Sequence, residues 1–324
     1  MTTENLPETL LEAVTFFSDE RRAHDFFVAM RWPEGVKCNH CGSQDIGALV
    51  VAGKKRNRFL WNCKCCKKQF TAKQGTIFED SPLPFSKWLP AVWLIVNAKN
   101  AISSCELARS LGITQKSAWH MGHRIREAIH RGGGIFEAGQ TVQADESYIG
   151  GQARFMHWDV KEAKGITQGH NPAKTPVMAL LAKHSRKGSQ VVARVPMDAP
   201  SKGEANAFVR KYVLKGAEVH TDEATIYGDL APDFVHRVVN HAECYVKNGV
   251  HTNGLENYWS LLKRGIKGTH VHVAAFHLFR YLDDQNYRFN ERKDNDQGRF
   301  LGAVRTAKNR RLTWKRLTGQ PEKI

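Results

Sequence analysis

The chain has 324 residues, 41% of them hydrophobic and 25% charged, which excludes wholesale disorder and leaves room for two or three folded domains. Its 48 Lys+Arg against 32 Asp+Glu give a net charge of +16, an excess that points to a polyanionic partner. No run approaches the roughly 20 apolar residues needed to span a bilayer, so that partner is expected to be nucleic acid and not a membrane.

The opening "MTTENLPETL" is acidic where a secretory signal would be basic and then apolar. A cytoplasmic chain follows as the expectation, one whose seven cysteines stay reduced and whose grouping signals metal. Residues 1–33 read as a supporting helical segment, with Leu10, Leu11, Val14, Phe16, Phe17 and then Phe26, Phe27 and Met30 as apolar positions.

Residues 34–75 contain two C-x-x-C pairs, Cys38 with Cys41 and Cys63 with Cys66, about twenty residues apart. That spacing predicts a ribbon holding one structural Zn²⁺, since four thiolates leave no open position for a substrate. Cys65 would point away and His40 would lie on the surface. Arg56, Arg58, Lys64, Lys67 and Lys68 surround the ribbon, which suits contact with nucleic acid.

Residues 83–130 begin with a buried helix carrying Trp88, Val92, Leu94, Ile95 and Val96. "SSCELARSLGITQKSAWHMGHRIREAI" then predicts a helix, a turn at Gly112 and a second helix, with Ser103/Glu106 and Thr114 as caps. This is a helix-turn-helix pattern, in which Gln115, Lys116, Ser117 and His120 start the second helix and are offered to a DNA groove. Cys105 and Cys244 read as core residues. Residues 131–139, opening with "RGGG", are expected as a linker.

Residues 140–292 change pattern. Strands are expected at "TVQADESYI", "VMALLAKH" and "SQVVARVPM", the last two joined by "SRKG". A long polar connection, "FMHWDVKEAKGITQGHNPAKT", separates the first two. A helix at "SKGEANAFVRKYVL", strands at "AEVHTD" and "FVHRVVN", a helix at "HTNGLENYWSLLKRG" and a long helix from Val273 complete a mixed α/β domain. Residues 293–324 read as a basic tail, with seven basic residues between Leu301 and Ile324 against the single acid Glu322.

Three acids stand where chemistry is usually built. Asp145 lies in a core strand, a costly place for a carboxylate without a neutralising partner. Asp222 ends "AEVHTD", at a strand C-terminus where sites on open α/β sheets gather. Glu256 is alone among bases on a helix face with Asn253, Ser260, Lys263 and Lys267, opposite the apolar stripe Leu255, Trp259, Leu262 and Ile266. Brought together, the three would repel unless divalent cations bound them, and hard oxygen ligands select Mg²⁺ or Mn²⁺. Two such ions are the recurrent device for in-line displacement at phosphorus. Glu146 and Glu223 neighbour the aspartates, but adjacent side chains in extended chain face opposite ways, so at most one of each pair aims into a common site. His220 shares the face of Asp222, either orienting a ligand or acting as a satisfied core histidine.

The motifs "ADESYIGG", "HTDEATIY" and "HTNGLENYWSLLKRGIKGTHVHV", preceded by "RWPEGVKCNHCGS" and "FEDSPLPFSKWL" and followed by "RYLDDQNYRFNER" and "RLTWKRLTG", resemble bacterial insertion-sequence transposases of the insertion sequence 1595 family. The resemblance spans about Arg31 to Leu317. It implies a ribonuclease-H-like DDE catalytic domain over 140–292, preceded by the zinc ribbon and the helix-turn-helix. It further implies Asp145, Asp222 and Glu256 as the catalytic, metal-binding triad. With Glu256 facing a metal site, Lys263 and Lys267, seven and eleven residues on along its stripe, suit contacts to the backbone of double-stranded DNA, with Arg264 and Asn253 as further candidates. The expected function is binding of terminal inverted repeats, then metal-dependent cleavage and strand transfer into target DNA, with a homo-oligomer joining two ends. A structure-specific nuclease of the same fold, or a DNA-binding regulator derived from a transposase, is the alternative. "YLDDQNYRFN" departs from the family's usual Glu-Phe pair in that helix.

Overall fold

In the computed structural model the described residues are 6–51, 58–130, 134–137, 139–150, 156–163, 165–167, 174–182, 188–196, 200–222, 225–239 and 250–320. In chain order the elements are α1 (Leu10–Phe17), α2 (Glu20–Arg31), β1 (Ile46–Val51), β2 (Arg58–Cys63), β3 (Gln69–Phe70), α3 (Phe85–Asn97), α4 (Ser104–Leu111), α5 (Gln115–Ile129), β4 (Thr141–Ile149), α6 (Trp158–Ala163), β5 (Thr175–Ala182), β6 (Gln190–Arg194), α7 (Lys202–Tyr212), β7 (Glu218–Thr221), β8 (Val235–Val238), α8 (Asn253–Arg264), α9 (Leu278–Asn290), α10 (Asp296–Arg305) and α11 (Trp314–Leu317). They form two compact units: Met1–Ile129 with Asp294–Ile324, and His130–Lys293.

In the first unit β1, β2 and β3 make an antiparallel sheet, and α3 is the central helix, burying Phe85, Trp88, Val92, Trp93, Ile95 and Val96. Helix α1 starts on a reciprocal capping box between Thr9 and Glu12. The α4 N-terminus is closed by Ser103 Oγ, which accepts from Glu106 N at 3.1 Å. Gly112, at φ 60°, ends α4 in the left-handed conformation that a side chain would resist, and Thr114 Oγ1 accepts from Ser117 N at the start of α5. Cys105 is exposed, correcting its reading as a core residue: the buried face of α4 is Leu107, Ala108 and Leu111, and Cys105 lies in the first turn outside it. Cys244 lies outside the described residues.

The segment read as a basic tail is folded over its described residues. Phe300 of α10 stacks on Phe26 at 5.9 Å and meets Trp93 at 5.1 Å, and Ala307 O accepts from Ile77 N. Arg311 pairs with Asp80 at 2.7 Å and with Glu79 at 3.4 Å; Arg316 pairs with Glu127. The run looks unpaired in sequence because the acids that answer it lie some two hundred residues upstream.

The second unit is a five-stranded sheet in the order β6-β5-β4-β7-β8. Strands β6, β5 and β4 are antiparallel neighbours; β4, β7 and β8 run parallel. Alternation along the strands divides two cores. Val142, Ala144, Leu180 and Val192 pack with Ala205, Val209 and Tyr212 of α7. On the other face Ala179, Leu181, Val191 and Ala193 pack with Leu255, Tyr258, Trp259 and Leu262 of α8 and Leu278 and Leu282 of α9. The expected order of strands and helices is found, with α6 added inside the polar connection. The long closing helix begins at Leu278 and not at Val273, which instead packs against the α8–α9 core. Most of "RGGG" (131–133) and of "SRKG" (185–187) lies outside the described residues.

Helix α9 buries Asp283, Asp284, Gln285 and Asn286, which a hydrophobic pattern would put on the surface. Asp283 and Asn286 are held from the sheet and α8, while Asp284 and Gln285 are held by Arg288 about one turn further along the same helix. Asn290 closes the free edge of β6, its Oδ1 accepting from Val191 N at 2.7 Å and its Nδ2 donating to Val191 O at 2.9 Å. Asn286 donates to Ala193 O and accepts from Tyr258 Oη, and Asp283 holds Arg194 at 2.8 Å.

Candidate active site and metal centre

The sulfurs of Cys38, Cys41, Cys63 and Cys66 lie within 4.8 Å of one another, the tetrad that the two C-x-x-C pairs predict. The first pair sits on a turn closed by Gly42 at φ 75°; the second begins where β2 ends. His40 N donates to Cys38 Sγ and Cys66 N to Cys63 Sγ, so each pair has a backbone amide aimed at its first sulfur. The Cys63 thiol is pushed down to about 6, first by the Cys66 amide. Four converging sulfurs in this geometry fit a structural zinc ion, whose thiolate ligands must be deprotonated. Cys65 is exposed and meets Ser43 Oγ instead, and His40 is exposed.

The register of the sheet brings the two aspartates together. The parallel pairing of β4 with β7 ends at Gln143 opposite His220. Asp145 and Asp222 each lie two residues further on, where the strands leave their ladder. Glu256 is exposed in the first turn of α8, which packs on the same sheet face as Asp145. Burial pushes the Asp145 carboxyl up to about 6; Trp259 Nε1 opposes this by donating to its Oδ2 at 2.8 Å, and the charges of Asp222 and Glu256 push it further up. The three acids are therefore electrostatic neighbours, though among the described residues they do not form a group as compact as the cysteines.

Glu146 faces the opposite layer, as strand alternation requires. It accepts from Tyr227 Oη at 3.1 Å, and burial, followed by the charges of Asp222 and Asp145, pushes it up to about 7. Glu223 lies outside the described residues.

Beneath the aspartates is a polar layer in which His220, named in the sequence, is joined by Gln143 and His251, which were not. Gln143 is buried two residues before Asp145, on the same face of β4. Its Oε1 accepts from Leu255 N at 3.2 Å and its amide nitrogen meets His251 Nδ1 at 3.0 Å. Thr252 gives α8 no side-chain cap, so Gln143 takes that part from the neighbouring strand. His220, also buried, accepts from His251 N and meets Glu218 at 3.0 Å, which makes it a satisfied core histidine. The signal for Gln143 was its place at i−2 from a candidate acid; that for Trp259 was its place three residues after Glu256.

The groove candidates on α5 are close to one another, and most have neighbours within their own unit. Gln115 Nε2 donates to Ser104 Oγ, the Lys116 ammonium lies 5.2 Å over the Trp314 ring, His120 meets the same ring at 5.4 Å, and Ser117 is capped by Thr114. Lys263, Arg264 and Lys267 are exposed along and just beyond α8.

Residues 18–69 match the transposase zinc-ribbon domain, and residues 137–290 match the ISXO2-like transposase domain. Ribbon and mixed-sheet unit together define a zinc-ribbon transposase. Over these two stretches the chain is similar to transposases of the insertion sequence 1595 family, whose zinc-ribbon and transposase domains they match. It is also 26% identical over 274 residues to the "Uncharacterized protein in transposable element ISH50" of Halobacterium salinarum, covering 82% of this chain and 89% of that protein. No helix among the described residues is long and apolar enough to cross a membrane.

Proposed function

We propose that the chain binds the terminal inverted repeats of its element, cuts the DNA at the element's ends and joins the resulting 3′-hydroxyls to target DNA. The observation that carries this reading is the β4–β7 register, which sets Asp145 beside Asp222 at the end of the sheet while Gln143 ties down the helix bearing Glu256. Three antiparallel strands followed by two parallel ones, with helices on both faces, support a ribonuclease-H-like arrangement for 140–292.

Asp145, Asp222 and Glu256 act as the catalytic acids. Their mutual repulsion and all-oxygen donor set fit Mg²⁺ or Mn²⁺. Two such ions, when bound, activate the attacking oxygen and stabilise the leaving one. Trp259 and the Glu146 amide hold the Asp145 carboxylate in one orientation, and Gln143 fixes the start of α8. Lys263, Arg264 and Lys267 contact phosphates of double-stranded DNA. In the first unit α4 and α5 work as a helix-turn-helix, with Gln115, Lys116, Ser117 and His120 at the groove and the zinc ribbon beside it. Two DNA ends call for at least two copies of the chain.

The test uses a duplex ending in the element's own terminal repeat, with and without Mg²⁺ or Mn²⁺, for the wild type and Glu256→Ala. Metal-dependent cutting and joining, both lost in the variant, are expected. Repeat binding without cutting under either metal would make the chain a regulator, and cutting without joining a nuclease.

A further inference from the structure

The segment after α8 is built in an unusual way. The helix passes into a π-helical turn, Gly265–His270, a feature that concentrates at functional sites. It then reverses at Val271, whose φ of 64° and ψ of −53° fall in the γ-turn region, with His272 N donating to His270 O at 2.7 Å. A β-branched residue resists positive φ, and conformations of this kind persist where the surrounding structure imposes them. Here it does: Ile266 and Val273 pack into the core on either side, and the His270 ring sits edge-on to Tyr281 at 4.7 Å.

What this anchoring holds out is apolar. Val271 is 78% exposed and Phe276 55%. An apolar tip on a rigid, strained turn has no use in water, and its surroundings name its occupant. From Asn257 to Leu282 the chain contains no acid, while Lys263, Arg264, Lys267, His270 and His272 lead up to and flank the tip. That is charge complementarity to a polyanion and repels a second copy of so basic a chain.

We propose that the Val271 turn is a wedge that enters a DNA duplex beside the candidate active site and unstacks a base step there, with Lys267 and His272 on the flanking phosphates. The proposal rests on the DNA-cutting function put forward above and adds how the duplex is opened for it. Apolar side chains inserted between base pairs from a basic surface are a general way to kink and unstack DNA. Val271 is 15 residues beyond Glu256, so at about 1.5 Å per residue the wedge falls within roughly 22 Å of that acid, or about six base-pair steps.

The experiment places 2-aminopurine at each of about the first eight positions of a repeat-ended duplex, a range that covers those steps. Full-length protein is added to saturation without divalent cation, so that the duplex stays intact. The wild type is expected to raise fluorescence about fivefold at one step, the signature of a base leaving its stack. Val271→Gly accepts positive φ without strain, and Val271→Asn keeps similar bulk in a residue that tolerates it. Both variants should melt no lower than the wild type yet lose that rise, and cleavage should slow about tenfold, in the range that loss of substrate positioning produces. No fluorescent step in a wild type that binds and cuts, or an unchanged rise in both variants, overturns the wedge alone. A chain that neither binds nor cuts the repeat overturns the wedge together with the function beneath it. If the variants instead turn a dimer into a monomer with the fluorescence unaltered, the surface serves a second copy and the wedge is wrong.

Discussion

Trp259 Nε1 donates to Asp145 Oδ2 at 2.8 Å, so a side chain one turn after Glu256 holds the carboxylate of another candidate acid. The bond joins α8 to β4 and opposes the burial that raises Asp145. Trp259→Phe keeps much of the ring volume and removes the donor. A hydrogen bond to a charged group contributes about 1.5–3 kcal/mol, so cleavage should fall by about 10- to 100-fold. The loss should be greatest at low pH, where the unsupported carboxyl is protonated, and the acidic limb of the pH–rate profile should move up. A profile that only scales down without moving would mean that Trp259 acts by packing alone.

Gln143 and Gly254 form a second clamp. A methyl group on Gly254 would come 2.6 Å from Gln143 Oε1 and 3.1 Å from Leu181 Cδ2. The Gln143 amide would have to release Leu255 N. Gly254→Ala should therefore destabilise the chain by about 1–2 kcal/mol, the worth of that bond with some repacking. Urea unfolding measures it. In the Gln143→Ala background the same substitution should cost little, and additive costs would show that the two residues act independently.

The sequence made the β/α order legible because strands of period two and helices of period 3.6 alternate cleanly from Thr141 to Asn290. It made the metal cysteines legible because their spacing is local. What it hid is long-range polar pairing. Asp283, Asn286 and Asn290 read as solvent residues until the edge of β6 and Tyr258 are set against them. Arg311 and Arg316 read as free charge until Glu79, Asp80 and Glu127 arrive from α3's flank and from α5. Gln143 could be placed on the face of Asp145 by its i−2 position, but not given its role, which exists only once α8 lies across β4.

The cysteine tetrad yields a stoichiometry. One zinc per chain should co-purify and be released by chelation together with the fold of the ribbon, where Trp61 stacks on Phe70 at 5.8 Å. Cys63→Ser should lose the metal and lower the melting temperature. Cys65→Ser should keep a full equivalent, since that sulfur meets Ser43 and not the tetrad. Elemental analysis of the two variants decides it: zinc lost from Cys65→Ser would mean that the fourth ligand is misassigned.

The raised carboxyls make a pH prediction whose sign differs from that of ordinary paired acids. Asp145 is pushed up to about 6 and Glu146 to about 7, burial being the main cause for both. Without metal, the folded chain holds protons there that the unfolded chain has already released, so their contribution to stability is complete below about pH 4 and is lost as pH rises through 6 to 7. Burial lowers His24, His120, His236 and His277, which pulls the other way across the same range, so the wild-type profile alone is ambiguous. The difference between wild type and Asp145→Asn isolates the carboxyl: the variant should become relatively more stable as pH climbs from 5 to 8. Millimolar Mg²⁺ should close that gap at pH 8 by stabilising the wild type, which binds the ion through the ionised form. Melting curves with chelator and with Mg²⁺ at pH 5 and pH 8 measure both effects. Parallel curves for the two proteins under all four conditions would remove Asp145 from the metal site.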